Sequence, residues 1–345
     1  MKYVWLLLIF SASTVFAQDV KELINEGIKF HDQGDYEKAI EKYKEAIQQD
    51  SNSAMAYYEM AFSYHLLKEY EQSLESANQA LALNDQGVNY YATIIKGSVL
   101  DDMGRTQESV SFYKEAVKKY PDQYLLLFNY GVSCGRLGLR SDAQELFLKA
   151  IALKPNHPGS HLRLALLKKD GNEKVRATLG LYFFLLLENE SKRAEEYAQT
   201  LLDWLYQTNV GDDGINRISI TLPSGSKKDN MMATAELGFS MALLASSEIE
   251  KQKSMSKQEK FIYDTNQIFS LLGELNDNKK NKKKRNAPDL LWDTYVPFFY
   301  SIKKAGHTEA FCYHILKTSK DSDIKTWLAS NTEKLELFYL WTETH

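Results

Sequence analysis

Tyr124 to His157 reads YLLLFNYGVSCGRLGLRSDAQELFLKAIALKPNH. Gly131 stands eighth in this stretch, Ala143 twentieth and Ala150 twenty-seventh, with Cys134 eleventh and Phe147 twenty-fourth. Positions 8 and 11 share one helix face, and 20, 24 and 27 share another, because helical neighbours recur at three and four residues. Gly138 lies between them, where a left-handed residue ends a helix. Pro155 stands where the second helix must stop. The pattern predicts a helical hairpin whose small residues let two backbones approach and whose large ones fill the gaps.

The same register recurs on both sides. Windows starting at Val20, Ala54, Tyr90, Tyr124 and Pro158 are spaced 34, 36, 34 and 34 residues, the two extra falling in Gln86–Asn89. The eighth position holds Gly27, Ala61, Gly97, Gly131 and Ala165. The twentieth holds Ala39, Ser73, Ser109, Ala143 and Ala177, and the twenty-seventh Ala46, Ala80, Ala116, Ala150 and then Phe184. Larger residues recur at the eleventh (Phe30, Tyr64, Leu100, Cys134, Lys168) and, apart from Ala77, at the twenty-fourth (Tyr43, Tyr113, Phe147, Leu181). Gly34 and Gly104 repeat the mid-unit turn of Gly138, and Pro121 repeats Pro155. An arbitrary amphipathic array would not keep small residues at three registers through successive copies.

These residues resemble the tetratricopeptide repeat family, whose motif has small residues at 8, 20 and 27, a turn near 15 and Pro at 32. The resemblance covers 18–190 as five repeats: 20–53, 54–87, 90–123, 124–157 and 158–190. It implies an all-α solenoid of helical hairpins that binds proteins or peptides in a concave groove lined by positions 2, 5, 9, 12 and 13 of each first helix. The groove residues carried over are Ile24, Ile28, Tyr58, Phe62, Tyr91, Ile94, Ser98, Leu125, Phe128 and Val132. The family's clamp for terminal carboxylates needs Lys at 5 and Asn at 9 of the first repeat. Ile24 and Ile28 stand there, which sets that ligand class aside in favour of an apolar or amphipathic segment. The chain's own C-terminal helices filling the groove is the competing expectation. Glu26 and Lys96 depart from the apolar seventh position, and Lys168 with Phe184 makes the fifth repeat pack differently.

Beyond the repeats the chain stays helix-rich. Only 6 Pro and 17 Gly occur in 345 residues, with 44% apolar and 26% charged, against average usage of about 12% for Pro and Gly together. That composition excludes turn-built sandwiches, collagens and disordered chains. Residues 191–206 predict an amphipathic helix capping the last apolar face, as solenoids require. In 207–345, Gly211, Gly214, Pro223 and Gly225 break the pattern, and Ile218, Ile220 and Leu222 alternate as in a short strand. Helices are expected at 231–250, 257–275, 289–305, 307–317 and 322–340, with Pro288 in a first turn and Asp321 as an N-cap. Leu179–Leu187 is apolar around its whole circumference, so it must be covered on all sides. The C-terminal region is expected to dock on it.

No motif carries chemistry. His307 and His314, seven apart with Glu309 and Cys312 nearby, lack metal-ligand spacing. Asp212-Asp213-Gly214 puts Ile220 where a calcium loop needs a bidentate Glu. Ser224-Gly225-Ser226 lacks a nucleophile elbow. No cofactor and no metal are expected, and the reading is a non-catalytic scaffold. The alternative is a C-terminal region with its own ligand-binding or catalytic role, the repeats acting as its docking arm. The run Lys279–Arg285 holds six basic residues in seven, in a chain of net charge −4. A solvated loop is favoured there over a membrane-surface contact. Nucleic acid is disfavoured by the acidic total and by the absence of stacking residues beside the run. Cys134 and Cys312 are too few for a disulfide framework, and their pairing stays open.

The first seventeen residues are an address. Lys2 precedes the apolar run Tyr3–Phe10, then come small residues ending Val15-Phe16-Ala17, the form of a secretory signal peptide. Eight apolar residues cannot span a bilayer, which takes about 20. The chain is expected to be exported, periplasmic in a Gram-negative bacterium and otherwise secreted. Intact-mass measurement of the exported form should find Gln18 at its start. A product that keeps Met1 would refute the leader.

Overall fold

A computed structural model describes residues 20–206, 209–210, 216–217, 230–248, 254–278 and 288–344. The leader, the breaks at Gly211, Gly214, Pro223 and Gly225, the alternation of 218–222, the Asp212 and Ser224 motifs and the basic run Lys279–Arg285 lie outside the described residues. The chain divides into two compact units, Met1–Leu153 and Lys154–His345.

The first unit consists of four helical hairpins. They are α1 (20–32) with α2 (Tyr36–Gln49), α3 (Ala54–Leu66) with α4 (Tyr70–Ala82), α5 (Asn89–Asp102) with α6 (Thr106–Lys119), and α7 (Tyr124–Arg136) with α8 (Arg140–Leu153). Position 15 is left-handed in every copy: Gly34, Gly104 and Gly138 at φ 74 to 82°, but also Lys68 at 62° and Asn172 of the fifth repeat at 59°. The following N–H always reaches back to the carbonyl of position 11, at 2.9–3.0 Å from Asp35, Glu69, Arg105, Leu139 and Glu173. The turn is a Schellman closure. It is imposed by hairpin geometry strongly enough that Lys68 adopts it without glycine's freedom.

Position 8 is matched to position 24 within each hairpin. A Cβ on Gly27 would stand 2.4 Å from the Tyr43 ring, on Gly97 2.2 Å from Tyr113, and on Gly131 2.7 Å from Phe147. Where position 8 is Ala61, position 24 is Ala77, and both are fully buried. Aromatic volume is admitted only where the facing Cβ is missing. At position 20, Ala39 and Ala143 are fully buried. The serines that replace alanine there donate to the position-8 carbonyl, Ser73 to Ala61 at 2.7 Å and Ser109 to Gly97 at 2.8 Å. At position 27, Ala46, Ala80 and Ala150 are fully buried, while Ala116 is half-buried beside Tyr113 and Leu126. Cys134 is free and buried, and burial pushes its thiol up to about 11.

The second unit contains the fifth hairpin, α9 (Pro158–Asp170) with α10 (Lys174–Leu187), and then α11 (Lys192–Tyr206). Asn209–Val210 pairs antiparallel with Asn216–Arg217. There follow α12 (Asn230–Glu248), α13 (Lys257–Asp277), α14 (Val296–Lys304, entered through a π-helical turn at Leu291–Tyr295), α15 (Thr308–Ile315), α16 (Ser322–Ser330) and α17 (Thr332–Thr342). Helix α10 is covered over most of its circumference, with Phe183, Leu186 and Leu187 half-buried. Leu179, Leu181, Tyr182, Phe184 and Leu185 are wholly buried, and α10 touches α9, α11, α12, α15 and the π turn. Gly180 now faces Ala165, a Cβ there lying 3.0 Å from that of Ala165. Tyr182 is the hub: Phe261, Phe269, Phe299 and Phe311 meet its ring edge to face at 5.4–6.3 Å, and its hydroxyl is 3.0 Å from Thr265 Oγ1. Each such aromatic pair adds about 0.5–1.5 kcal/mol beyond burial.

Two expectations in this unit are corrected. The single helix expected at 322–340 is broken at Asn331 (φ −126°, ψ 36°), whose Nδ2 donates to Trp327 O. Pro288 precedes its helix instead of lying in the first turn, because the Asp289 side chain caps the helix by accepting from Leu291 N at 2.9 Å. The π turn sits just before Pro297, which lacks the N–H an α-helix would aim at Asp293 and whose ring would crowd that carbonyl. Val296 N bonds Leu291 O instead. Asp321 does cap α16, accepting from Asp323 N at 2.8 Å.

The N-terminus of α10 is held from outside. Arg176 grips Asp289 with two hydrogen bonds of 2.8 and 2.7 Å. Glu236 of α12, 1% exposed, accepts from Val175 N at 2.9 Å. Burial raises the Glu236 carboxyl to about 7, although the Val175 N–H opposes the shift.

Two outcomes are expected. Gly97→Ala should lower stability by about 1–3 kcal/mol through overpacking against Tyr113, whereas Gly135→Ala, with open space around it, should gain up to about 1 kcal/mol. Equal effects in urea titrations would refute the assigned register. The second outcome depends on pH. A carboxyl whose folded pKa lies above the unfolded value of about 4.3 stabilises the protein below that value, and the benefit is lost as pH rises through the folded pKa. Glu236→Gln keeps an acceptor for Val175 N without the charge. It should therefore gain on the wild type between pH 5 and 8, by on the order of 2 kcal/mol at the upper end. A difference that stays constant with pH would sink this account.

Candidate interaction groove

The first helices α1, α3, α5 and α7 carry every residue read as groove-lining. Tyr91 is the most open at 48% exposure. Ile28, Tyr58, Phe62, Ser98, Leu125, Phe128 and Val132 are half-buried. Ile24 and Ile94 are buried, Ile24 among Val20, Ala39 and Tyr43 and Ile94 against Tyr113 and Leu126. Ser98 Oγ lies 3.1 Å from the Tyr113 hydroxyl, so this groove position also braces the core. Phe62 packs on His31 at 4.7 Å and Phe128 on Phe147 at 6.0 Å between ring centres.

Tyr58 and Tyr91 meet across repeats at 5.7 Å. Tyr91 continues to Tyr90 at 5.0 Å, and Tyr90 to Tyr120 at 6.0 Å. At the two ends of α3, Met55 is 40% exposed and Leu66 42%. Reading positions 5 and 9 missed these two, which stand at 2 and 13; those positions belong to the same family set, so the signal was present.

Positions 12 and 13 form a polar rail that was also missed. His31 Nδ1 lies 2.8 Å from Ser63 Oγ, linking position 12 of repeat one to position 10 of repeat two. Ser133 repeats this link, donating to Asp101 Oδ2 at 3.1 Å. Between them position 10 is the apolar Val99, so His65 Nε2 reaches Asp102 Oδ2 at 2.8 Å instead. Arg136 closes the rail with Nη1 2.9 Å from Asp102 Oδ1 and 2.8 Å from Asp101 Oδ2. Burial works to raise the Asp102 carboxyl, but hydrogen bonds from His65 and Arg136 prevail and hold it below the usual range. Burial, reinforced by Asp32, lifts Glu59 to about 7. Burial lowers His31. The groove thus has an aromatic side and a side whose charges are largely paired with one another.

The remaining sequence candidates are occupied structurally. His314 is buried, 3.1 Å from Leu186 O and 3.3 Å from the Tyr339 hydroxyl. His307 packs against Phe338 and Trp341. Cys312 is free and fully buried, which raises its thiol. Among the described residues no three His, Cys, Asp or Glu converge to hold a metal, and no helix is long and apolar enough to cross a membrane. The second unit has one open cleft of note, about 1220 Å³, walled by α11, the start of α13 and residues 316–324.

Two family models match the chain, a TPR repeat over residues 27–68 and a tetratricopeptide repeat over 96–158. A TPR repeat-containing protein of Methanocaldococcus jannaschii is 25% identical over 132 residues, 38% of this chain and 22% of that protein. A tetratricopeptide repeat and J domain-containing co-chaperone of Fusarium oxysporum is 39% identical over 80 residues, 23% of this chain and 15% of that one. The chain thus spans less than a quarter of the length of either curated relative. Similar solved structures include PilF of Pseudomonas aeruginosa, 23% identical, covering 56% of this chain and 91% of that one at TM-score 0.46. A thermophilic TPR protein of Thermus thermophilus is 18% identical and covers 53% and 99% at TM-score 0.47. The recognised part of the chain is a tetratricopeptide repeat array.

Proposed function

We propose that this tetratricopeptide repeat protein is an exported, non-catalytic scaffold that holds an apolar or amphipathic segment of a partner protein in the groove of its first four repeats. Export rests on the leader-like residues 1–17. The observation that carries the binding reading is the placement of open apolar surface. Of the five large apolar residues exposed among the described residues of the first unit, Met55, Leu66 and Tyr91 occupy groove positions, the others being Leu139 and Leu153. Half-buried Tyr58, Phe62, Leu125 and Phe128 extend that surface, and aromatic side chains are the usual anchors of such interfaces.

One observation favours a second reading, a ligand-binding role for the second unit. Its cleft is lined by Trp204, Tyr206 and Phe261 together with Lys169, Lys192 and Lys257. Glu195, Glu196, Asp203 and Asp321 line it too, so the cleft offers aromatic faces within a mostly charged wall, which suits a polar ligand.

The variants that test the groove follow from exposure. Tyr58 and Phe62 help fill the core around Ala61 and Ala77, so truncating them would cost stability as well as binding. Met55→Ala with Tyr91→Ala removes the more open side chains, at the cost of the ring contacts of Tyr91 with Tyr58 and Tyr90. Capture of partners from the exported fraction should lose its main partner with this double variant, while helical content stays at the wild-type value and stability falls by no more than about 1–3 kcal/mol for the two ring pairs. Undiminished capture would move the binding surface off the groove.

A further inference from the structure

One face of α3 carries Met55, Glu59, Phe62 and Leu66, spaced by four, three and four residues, which puts them in a single stripe. Met55 is 40% and Leu66 42% exposed, and Phe62 is half-buried. These three hold groove positions 2, 9 and 13 of their repeat. A glutamate thus stands in the middle of an otherwise apolar stripe on the binding face. Glu59 is itself half-buried, so its carboxyl has given up part of its hydration.

Nothing among the described residues offsets that loss. Glu26 meets Lys42 at 3.3 Å, Glu108 meets Arg105 at 2.7 Å and Asp102 meets Arg136 at 2.9 Å. Glu59 has no such partner among the described residues. The titratable groups around it are Asp32 and His31 of α1, Tyr43 of α2 and Tyr58 of α3 itself. Asp32 is exposed and of like charge, and it joins burial in lifting the Glu59 carboxyl to about 7. His31 is bonded to Ser63, one turn on from Glu59, and burial lowers its pKa, so it is neutral at pH 7 and above. Burial keeps both phenols un-ionised. Neither Lys21 nor Lys29 of α1, nor any group of α4 or α5, acts on Glu59.

We propose that the groove takes a partner segment in which a lysine or arginine is set among apolar side chains, the cation lying against Glu59 with Asp32 beside it and the apolar neighbours on Met55, Phe62 and Leu66. This rests on the groove reading above and names the chemistry of its partner. A wholly apolar or acidic segment would dehydrate the carboxyl further without pairing it. A cation favours the ionised form and lowers the pKa of the carboxyl it meets. Binding therefore expels a proton wherever free Glu59 is protonated, and affinity rises with pH through about 7.

Calorimetric titration of the full chain with a 14-residue amphipathic Leu/Lys peptide tests it, beside a Leu/Glu peptide of the same pattern. The Leu/Lys peptide should bind saturably, about tenfold more tightly at pH 8 than at pH 6. At pH 7 it should displace about half a proton, read from the heats in two buffers of different ionisation enthalpy. The Leu/Glu peptide should bind at least about tenfold more weakly at pH 8. Glu59→Gln should match the wild type at pH 6, fall about tenfold behind it at pH 8 and release no proton. Its unfolding midpoint at pH 8 should be no lower than that of the wild type, since a neutral amide replaces a carboxylate that burial disfavours. Asp32→Asn, at an exposed site, should move the rise in affinity to lower pH. Leu/Lys binding that ignores both pH and Glu59→Gln overturns the assignment. Tighter binding of the Leu/Glu peptide, lost with Met55→Ala and Tyr91→Ala together, overturns the basic partner while leaving the groove in place. Binding of neither peptide also overturns it, and the groove itself is then judged by the capture experiment alone.

Discussion

The first unit depends on one contact, that between position 8 of a first helix and position 24 of the second helix in the same hairpin. Where the first is glycine, an aromatic ring lies on bare backbone: Tyr43 on Gly27, Tyr113 on Gly97, Phe147 on Gly131. Where it is Ala61, the partner shrinks to Ala77. Helix separation is set by this pair, and other features follow from it. Ser73 and Ser109 reach the position-8 carbonyls only because the backbones are so close. The Tyr113 hydroxyl crosses to Ile94 O for the same reason, and Ser98 is drawn in from the groove side. The groove is therefore not an independent surface. Its first helices are placed by the rings behind them.

That dependence explains what the chain revealed on reading. Small residues at three registers made the hairpins legible, since close packing leaves a compositional trace at fixed spacing. The left-handed turn was legible at Gly34, Gly104 and Gly138 but silent at Lys68, where surrounding geometry overrides residue preference. Among the residues assigned to the groove, Tyr91 is 48% exposed, whereas Ile24 and Ile94 are buried. Position in a motif gives the face of a helix, and only neighbouring side chains decide how much of that face stays uncovered. The polar rail depends on pairs 32 to 37 residues apart, such as His65 with Asp102, and no local pattern announces them.

The second unit was legible mainly through one anomaly. A helix apolar on every side needs cover, and α10 has it from α9, α11, α12, α15 and the π turn. The individual partners were not readable. Tyr182 gathers Phe261, Phe269, Phe299 and Phe311 from three helices, and phenylalanines at those positions look like any core residues. The π turn ahead of Pro297 and the break at Asn331 are tertiary adjustments to a helical pattern that reads as continuous. Glu236 is a further case, a glutamate in an apolar stretch whose role appears only with Val175 N beside it.

The two cysteines acquire a kinetic meaning from their burial. Sulfur chemistry proceeds through the thiolate. With its pKa raised to about 11, Cys134 is ionised in only about one molecule in 10⁴ at pH 7, and its side chain is closed to solvent besides. Cys312 is held in the same way in the second unit. An oxidant or alkylating agent thus meets either sulfur only during the moments when its unit comes apart. Each half of the chain carries one internal clock, whose rate of reaction counts how often that half opens.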